Sequence, residues 1–137
     1  MKTLLIITTV LMSFAIRSQS YELMGTDTLN LTDAGGKKQG KWVKFGRYNN
    51  VVCGSTSQKV EEGLYKDNKK EGIWTDYFCS GNLRNKTTYT NGRPDGYKII
   101  YRENGTILAE GNWKFNQWIG KHTVVCENGK VIEFMCD

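Results

Sequence analysis

The sequence predicts an all-β repeat protein: an elongated antiparallel meander of β-hairpins with about 24 residues per unit. Three observations carry this. First, Gly72-Ile73-Trp74-Thr75-Asp76-Tyr77 returns as Gly96-Tyr97-Lys98-Ile99-Ile100-Tyr101 and again as Gly120-Lys121-His122-Thr123-Val124-Val125, and the turn signals Ser80-Gly81, Asn104-Gly105 and Asn128-Gly129 keep the same spacing. A fixed period in this range marks units that bury their faces only against their neighbours. Second, each half-unit is a short run of aromatic and β-branched residues bounded by Asn-Gly or Gly, which is the strand-and-hairpin pattern. Third, beyond the N-terminal leader no segment holds a 3.6-residue apolar stripe long enough for a helix.

In chain order, residues 1–20 read as a signal peptide. Lys2 precedes an apolar run from Leu4 to Ile16, and Ser18-Gln19-Ser20 offers small residues for a cut before Tyr21. Cleavage after Ser18 and an uncleaved N-terminal anchor are the alternatives. No cysteine follows the apolar run, so the leader does not predict a lipoprotein, and the expected location is secreted or periplasmic. Residues 21–39 are polar and aperiodic, an N-terminal arm with turn chemistry at Asp33-Ala34-Gly35-Gly36. Residues 40–137 form the repeat domain, with units starting at Gly40, Gly72, Gly96 and Gly120 and about seven or eight strands in all.

Counted from each opening glycine, position +2 is Trp42, Trp74, Lys98 and His122, and position +5 is Phe45, Tyr77, Tyr101 and Val125. The first unit fits this register if eight extra residues lie between its halves. Gly63 and Tyr65 then match Gly111 and Trp113, and Asp67-Asn68 takes the second turn. Asn49-Asn50-Val51-Val52-Cys53-Gly54 is the expected tip of a longer hairpin. A two-residue turn at +8/+9 sets +7 opposite +10 and +2 opposite +15, so Trp42 faces Gly63 and Lys98 faces Gly111. A large side chain over a strand glycine covers backbone that the glycine leaves bare. Positions +2 and +5 differ in parity, so Trp74 and Tyr77 are expected on opposite faces.

The four cysteines show no Cys-x-x-Cys spacing and His122 is the only histidine, which disfavours a metal site. Cys79 at +7 lies beside the insert that carries Cys53, so a disulfide between Cys53 and Cys79 is reasonable. Cys126 at +6 and Cys136 at +16 sit toward opposite ends of their strands. They pair only if the last strand leaves the common register. Export favours disulfide formation.

The net charge is +5, falling to +3 without the leader, and the charges alternate in sign. That fits a solvated surface rather than a nucleic-acid stripe. No catalytic or cofactor-binding motif is recognisable. His122 fills a repeat slot, and no nucleophile elbow or phosphate loop surrounds Ser55, Thr56 and Ser57. The acidic residues Glu61, Glu62, Asp67, Glu71 and Asp76 offer a weak paired-carboxylate pattern for a hydrolase. The stronger candidates are aromatic: Trp42, Trp74, Tyr77, Tyr89, Tyr101 and Trp113. Such rings stack into a core, or stay exposed and bind a protein or a glycan. Glycosylation triplets start at Asn30, Asn85 and Asn104.

Gly-x-Trp-x-x-Tyr, the Asn-Gly turn, an aliphatic residue and then Glu110-Gly111-Asn112-Trp113 resemble the MORN-repeat variant family. The lead-in from Thr32 to Trp42 resembles exported members from Bacteroidetes-type bacteria. The resemblance spans Gly36 to about Phe134; the first unit is interrupted and the last lacks its aromatics. It implies a MORN-like hairpin scaffold with no catalytic residues, and brings an antitoxin-like label common in the family. The expected function is an exported non-enzymatic module that binds a protein or cell-envelope component. The alternatives are a periplasmic immunity-type protein and a glycan-binding module.

Overall fold

The computed structural model describes residues 18–48 and 51–136. The leader expected over residues 1–20 lies almost wholly outside them. Twelve strands follow in order: β1 (Ser20–Met24), β2 (Asp27–Thr32), β3 (Lys38–Phe45), β4 (Arg47–Tyr48), β5 (Val51–Val52), β6 (Lys59–Lys66), β7 (Lys69–Tyr77), β8 (Leu83–Thr90), β9 (Arg93–Tyr101), β10 (Ile107–Lys114), β11 (Gln117–Val125) and β12 (Val131–Cys136). Ten of them form one open antiparallel sheet in the order β1-β2-β3-β6-β7-β8-β9-β10-β11-β12, a meander of consecutive hairpins that does not close. β4 and β5 make a separate two-stranded hairpin inserted between β3 and β6. Among the described residues no helix is long and apolar enough to cross a membrane.

The aperiodic arm is part of this sheet. Leu29 and Leu31 alternate with Asn30 in β2, and Leu29 is buried to 2% exposure. Asp33 closes the following loop: its Oδ1 accepts from the Gly35 and Lys37 backbone N–H groups, both at 2.9 Å. The Asn30 side chain ties the arm on, since its Oδ1 accepts from the Val43 N–H at 2.9 Å and its Nδ2 donates to Glu22 at 2.8 Å. The sheet therefore carries two more strands than the periodic segment supplies.

Two kinds of turn alternate along the chain. At one end of the strands, Phe78, Arg102 and Cys126 donate their N–H to the carbonyls of Asn82, Thr106 and Lys130 at 2.8–2.9 Å. Each loop thus holds three residues, with Gly81, Gly105 and Gly129 at φ 93°, 86° and 79°. The expected two-residue turn is corrected here. The glycine takes the left-handed place of a three-residue hairpin loop, which an L side chain occupies only at a cost. A bulge between Asp76 and Tyr77, and another between Ile107 and Ala109, then restores the interior pairing. Trp74 faces Thr87 and Lys98 faces Gly111, as the simpler turn would also have given. The β11–β12 pair has no such bulge, so His122 faces Phe134. At the other end, Asp67-Asn68, Asn91-Gly92 and Phe115-Asn116 are two-residue turns with positive φ at both residues, the geometry that matches the strand twist.

The insert departs from the meander through Gly46, whose N–H donates to the Gln58 carbonyl and whose carbonyl accepts from Cys53, at 2.8 and 2.9 Å. Asn49 and Asn50, the expected tip, lie outside the described residues. Cys53, buried, is bonded to Cys79 with Cα atoms 5.1 Å apart, so the insert is fastened to the β7–β8 loop. Such a bond fits an oxidising compartment. Cys126 carries a free thiol. Cys136 sits opposite Gly120, which places it roughly 20 Å along the strands from Cys126, so the second candidate pair does not form.

Candidate binding face

Side chains alternate between the two sides of each strand, and cross-strand partners share a side. Trp42 faces Gly63 and Gly40 faces Tyr65, so both rings project from the same face. A Cβ on Gly63 would overlap the Trp74 indole, which lies across that bare backbone from β7. Trp74 is 2% exposed, and its Nε1–H donates to the Leu64 carbonyl at 2.9 Å. The rings then run edge to face: Trp42 to Tyr65 at 5.4 Å, Tyr65 to Trp74 at 4.9 Å and Trp74 to Tyr89 at 6.3 Å. These are the centroid separations at which aromatic pairs attract.

A second ring series occupies the far half of the same face. Trp113 meets Trp118 at 5.0 Å, Trp118 stacks on His122 at 5.1 Å, and His122 stacks on Phe134 at 5.3 Å. The buried imidazole at +2 is therefore a packing ring. Between the two series, β9 contributes Lys98 where β7 has tryptophan. Its ammonium sits 3.9 Å from the Trp113 ring centre. Burial pulls the Lys98 pKa below its ordinary value, and the nearby Asp76 only partly opposes this. Lys70 lies over Trp74 at 3.9 Å and Lys38 over Trp42 at 4.5 Å, so lysines cap both tryptophans of the first series.

The six aromatic candidates divide. Trp42, Tyr89 and Trp113 are half-buried on the ring face. Trp74 is shut away and serves packing, which corrects its candidacy as a contact residue. Tyr77 is on the opposite face, as the parity of +2 and +5 predicts, where its hydroxyl is hydrogen-bonded to Glu62 beneath Lys59. Tyr101, half-buried, pairs with Ile107 beside the glycine-turn end. The sequence reading missed the lysine caps, because a lysine four residues before a tryptophan, as at Lys38 and Lys70, or on the neighbouring strand, as at Lys98, looks like ordinary surface charge.

The acidic cluster is similarly divided. Glu61 pairs with Asp76, and Glu62 with Thr75, so Glu62 and Asp76 lie on opposite faces and cannot flank one bond. Burial alone would raise the Glu61 carboxyl, but hydrogen bonds from Lys44 and Lys70 outweigh it and hold the pKa below the ordinary value. For Glu62, burial is likewise outweighed by hydrogen bonds from Tyr77 and Lys59. Of the glycosylation triplets, Asn30 ties down the arm, Asn85 accepts from the Thr87 hydroxyl at 3.3 Å, and Asn104 accepts from Thr106 inside its turn.

A groove of about 1370 Å³ crosses the end of the sheet that carries the two-residue turns. Tyr65 and Lys70 reach it from the ring face, and the turns at 67–68, 91–92 and 115–116 form its rim. Phe115, at φ 51°, holds its ring 74% exposed there. The signal for it is in the sequence: the slot that reads Asp67-Asn68 and then Asn91-Gly92 reads Phe115-Asn116, a bulky residue where positive φ is required. Comparison with family models, with curated proteins and with solved structures finds no match.

Proposed function

We propose that the protein is an exported, non-enzymatic member of the MORN-repeat variant family that binds a component of the cell envelope through the ring face of its sheet. The observation that supports this most is the row of half-buried rings under lysine caps, laid along one face of an open sheet. Tryptophan and tyrosine rings are among the groups that carry most of the binding energy at recognition surfaces. Glu61, a carboxylate on that face, is tied to Lys44 and Lys70, whose hydrogen bonds hold its pKa below the ordinary value, a state suited to fixing lysines in place rather than to donating a proton. The leader and the Cys53–Cys79 bond agree with passage into an oxidising compartment.

Co-sedimentation with Gram-negative envelope fragments tests the reading. The wild-type protein is expected in the pellet. Tyr89→Ala with Trp113→Ala is expected to lower retention about tenfold, the scale of losing 1–2 kcal/mol at a contact. Ile73→Ser, on the opposite face and already 63% exposed, is expected to leave it unchanged. A wild-type protein that stays in the supernatant, or equal retention in all folded variants, overturns the proposal.

A further inference from the structure

We infer that the groove across the two-residue turns is a binding site for an acidic oligosaccharide. The inference rests on the binding role proposed above and names the ligand class. Four cations, Lys69, Lys70, Arg93 and Lys114, line the groove against one carboxylate, Asp95, an excess of three positive charges. Lys114 is paired with Asp95 at 2.9 Å and Lys70 with Glu61, whereas Arg93 is exposed with no ion pair among the described residues. Its planar guanidinium presents a two-pronged donor that matches a carboxylate or sulfate group.

Phe115 is the independent observation. A bulky side chain at positive φ is a backbone outlier, and outliers of this kind concentrate at functional sites. This one spends that strain on a ring that buries little: it is 74% exposed at the groove rim. Tyr65 and Pro94 supply further flat apolar surface inside the groove. The rim also carries side-chain amides. The Asn68 carboxamide oxygen is taken by the Lys38 N–H and that of Asn91 by Lys69, at 2.8 and 2.7 Å, so their N–H groups are the donors left for a ligand. Flat rings, amide donors and cations together are what a sugar ring with hydroxyls and an acid group calls for. An acidic peptide or an anionic membrane surface calls for the cations but makes no specific use of a projecting flat ring beside amide donors, and both are probes in the test below. The volume exceeds that of a typical single small-molecule site. Successive turns recur every two strands, about 10 Å apart, so a chain of sugars can address more than one of them.

Binding of the purified protein to a uronic-acid hexasaccharide, measured by calorimetry, tests this against three other probes: cellohexaose, a glutamate hexapeptide and phosphatidylglycerol vesicles. The expected result is saturable binding to the acidic sugar, at least tenfold tighter than to the other three. Phe115→Asn is expected to weaken it about tenfold while the thermal midpoint holds or rises, which separates ligand contact from folding. Arg93→Ala is expected to weaken it about fivefold and to flatten its salt dependence. Preference for the peptide or the vesicles, unaltered affinity in Phe115→Asn, or no binding to any probe overturns the site. If the groove variants bind no acidic sugar differently from wild type yet envelope retention still depends on Tyr89 and Trp113, the groove fails and the ring-face role stands. Loss of envelope retention in the wild type removes the role itself.

Discussion

At one end of the strands the chain turns through Cys79-Ser80-Gly81, Glu103-Asn104-Gly105 and Glu127-Asn128-Gly129. At the other it turns through Asp67-Asn68, Asn91-Gly92 and Phe115-Asn116. Both ends need positive φ, but they assign it differently. The first end gives its single left-handed place to glycine every time and adds side-chain acceptors, as where Asn104 Oδ1 takes the Thr106 N–H at 3.0 Å and Asn128 Oδ1 takes that of Lys130 at 3.0 Å. The second end asks two consecutive residues for positive φ and fills five of six such places with side chains. Four of those side chains, Asn68, Asn91, Phe115 and Asn116, line the groove together with Lys69, Arg93 and Lys114. One end turns through glycine at no steric cost, and the other accepts backbone strain at side chains that stand around the groove.

The largest effect is expected where the glycine-turn end is stapled. The Cys53–Cys79 bond closes a loop with a sequence separation of 26, worth about 3.5 kcal/mol in the chain-entropy account. Cys53→Ser with Cys79→Ser should lower the urea midpoint accordingly. Amide exchange should quicken first in the insert and the β7–β8 loop, while the groove end keeps its protection. Uniform loss of protection across both ends would show that the bond holds the whole sheet and not one end of it.

A reciprocal pair of substitutions tests the assignment of strain. A Cβ at Gly105 meets no atom within 4 Å, so Gly105→Ala isolates the backbone cost of φ 86° and should destabilise by about 1 kcal/mol. Phe115→Asn, at φ 51°, should stabilise by about the same amount, since asparagine tolerates this conformation far better. Urea denaturation of both variants checks the signs. A destabilised Phe115→Asn would mean that the exposed ring contributes to folding and that the two ends do not differ as described.

The glycine-turn end was the more legible one. Asn-Gly at a fixed spacing announces a turn, and glycines at 63 and 111 opposite large residues give the interior register. The three-residue loop stayed hidden because, in the β7–β8 and β9–β10 hairpins, a compensating bulge leaves that register unchanged; only β11–β12, which has no bulge, shows the shift. The arm was missed because β2 offers only Leu29 and Leu31 as an alternating signal, and its hold on the sheet comes from Asn30, a polar residue doing a tertiary job. The ring face was half legible. Tryptophan and tyrosine positions were clear, but which of them are covered depends on neighbouring strands: Trp74 is sealed by Gly63 across β6, whereas Trp113 lies beneath Lys98. The groove was not legible, since its cations come from three strands, β7, β9 and β10, and only the turns bring them together.

The smallest expected effect concerns the strand interiors between the two ends, where Glu61 holds Lys44 and Lys70. Its folded pKa lies below the ordinary 4.5 because the two lysine hydrogen bonds outweigh burial. The stabilisation is therefore fully present above about pH 4.5 and is lost as pH falls through the lower folded value. Lys44 mirrors this. Burial would lower its pKa, but the hydrogen bond to Glu61 raises it above 10.5, so its share is present below that pH and is lost as pH rises through the folded value. Glu61→Gln should then be less stable than wild type by a constant margin near neutral pH, and the margin should shrink below pH 4.5 and again above pH 10.5. Urea midpoints across that range measure it. A margin that does not change with pH would make Glu61 a packing residue rather than the charge that positions the lysine capping Trp74.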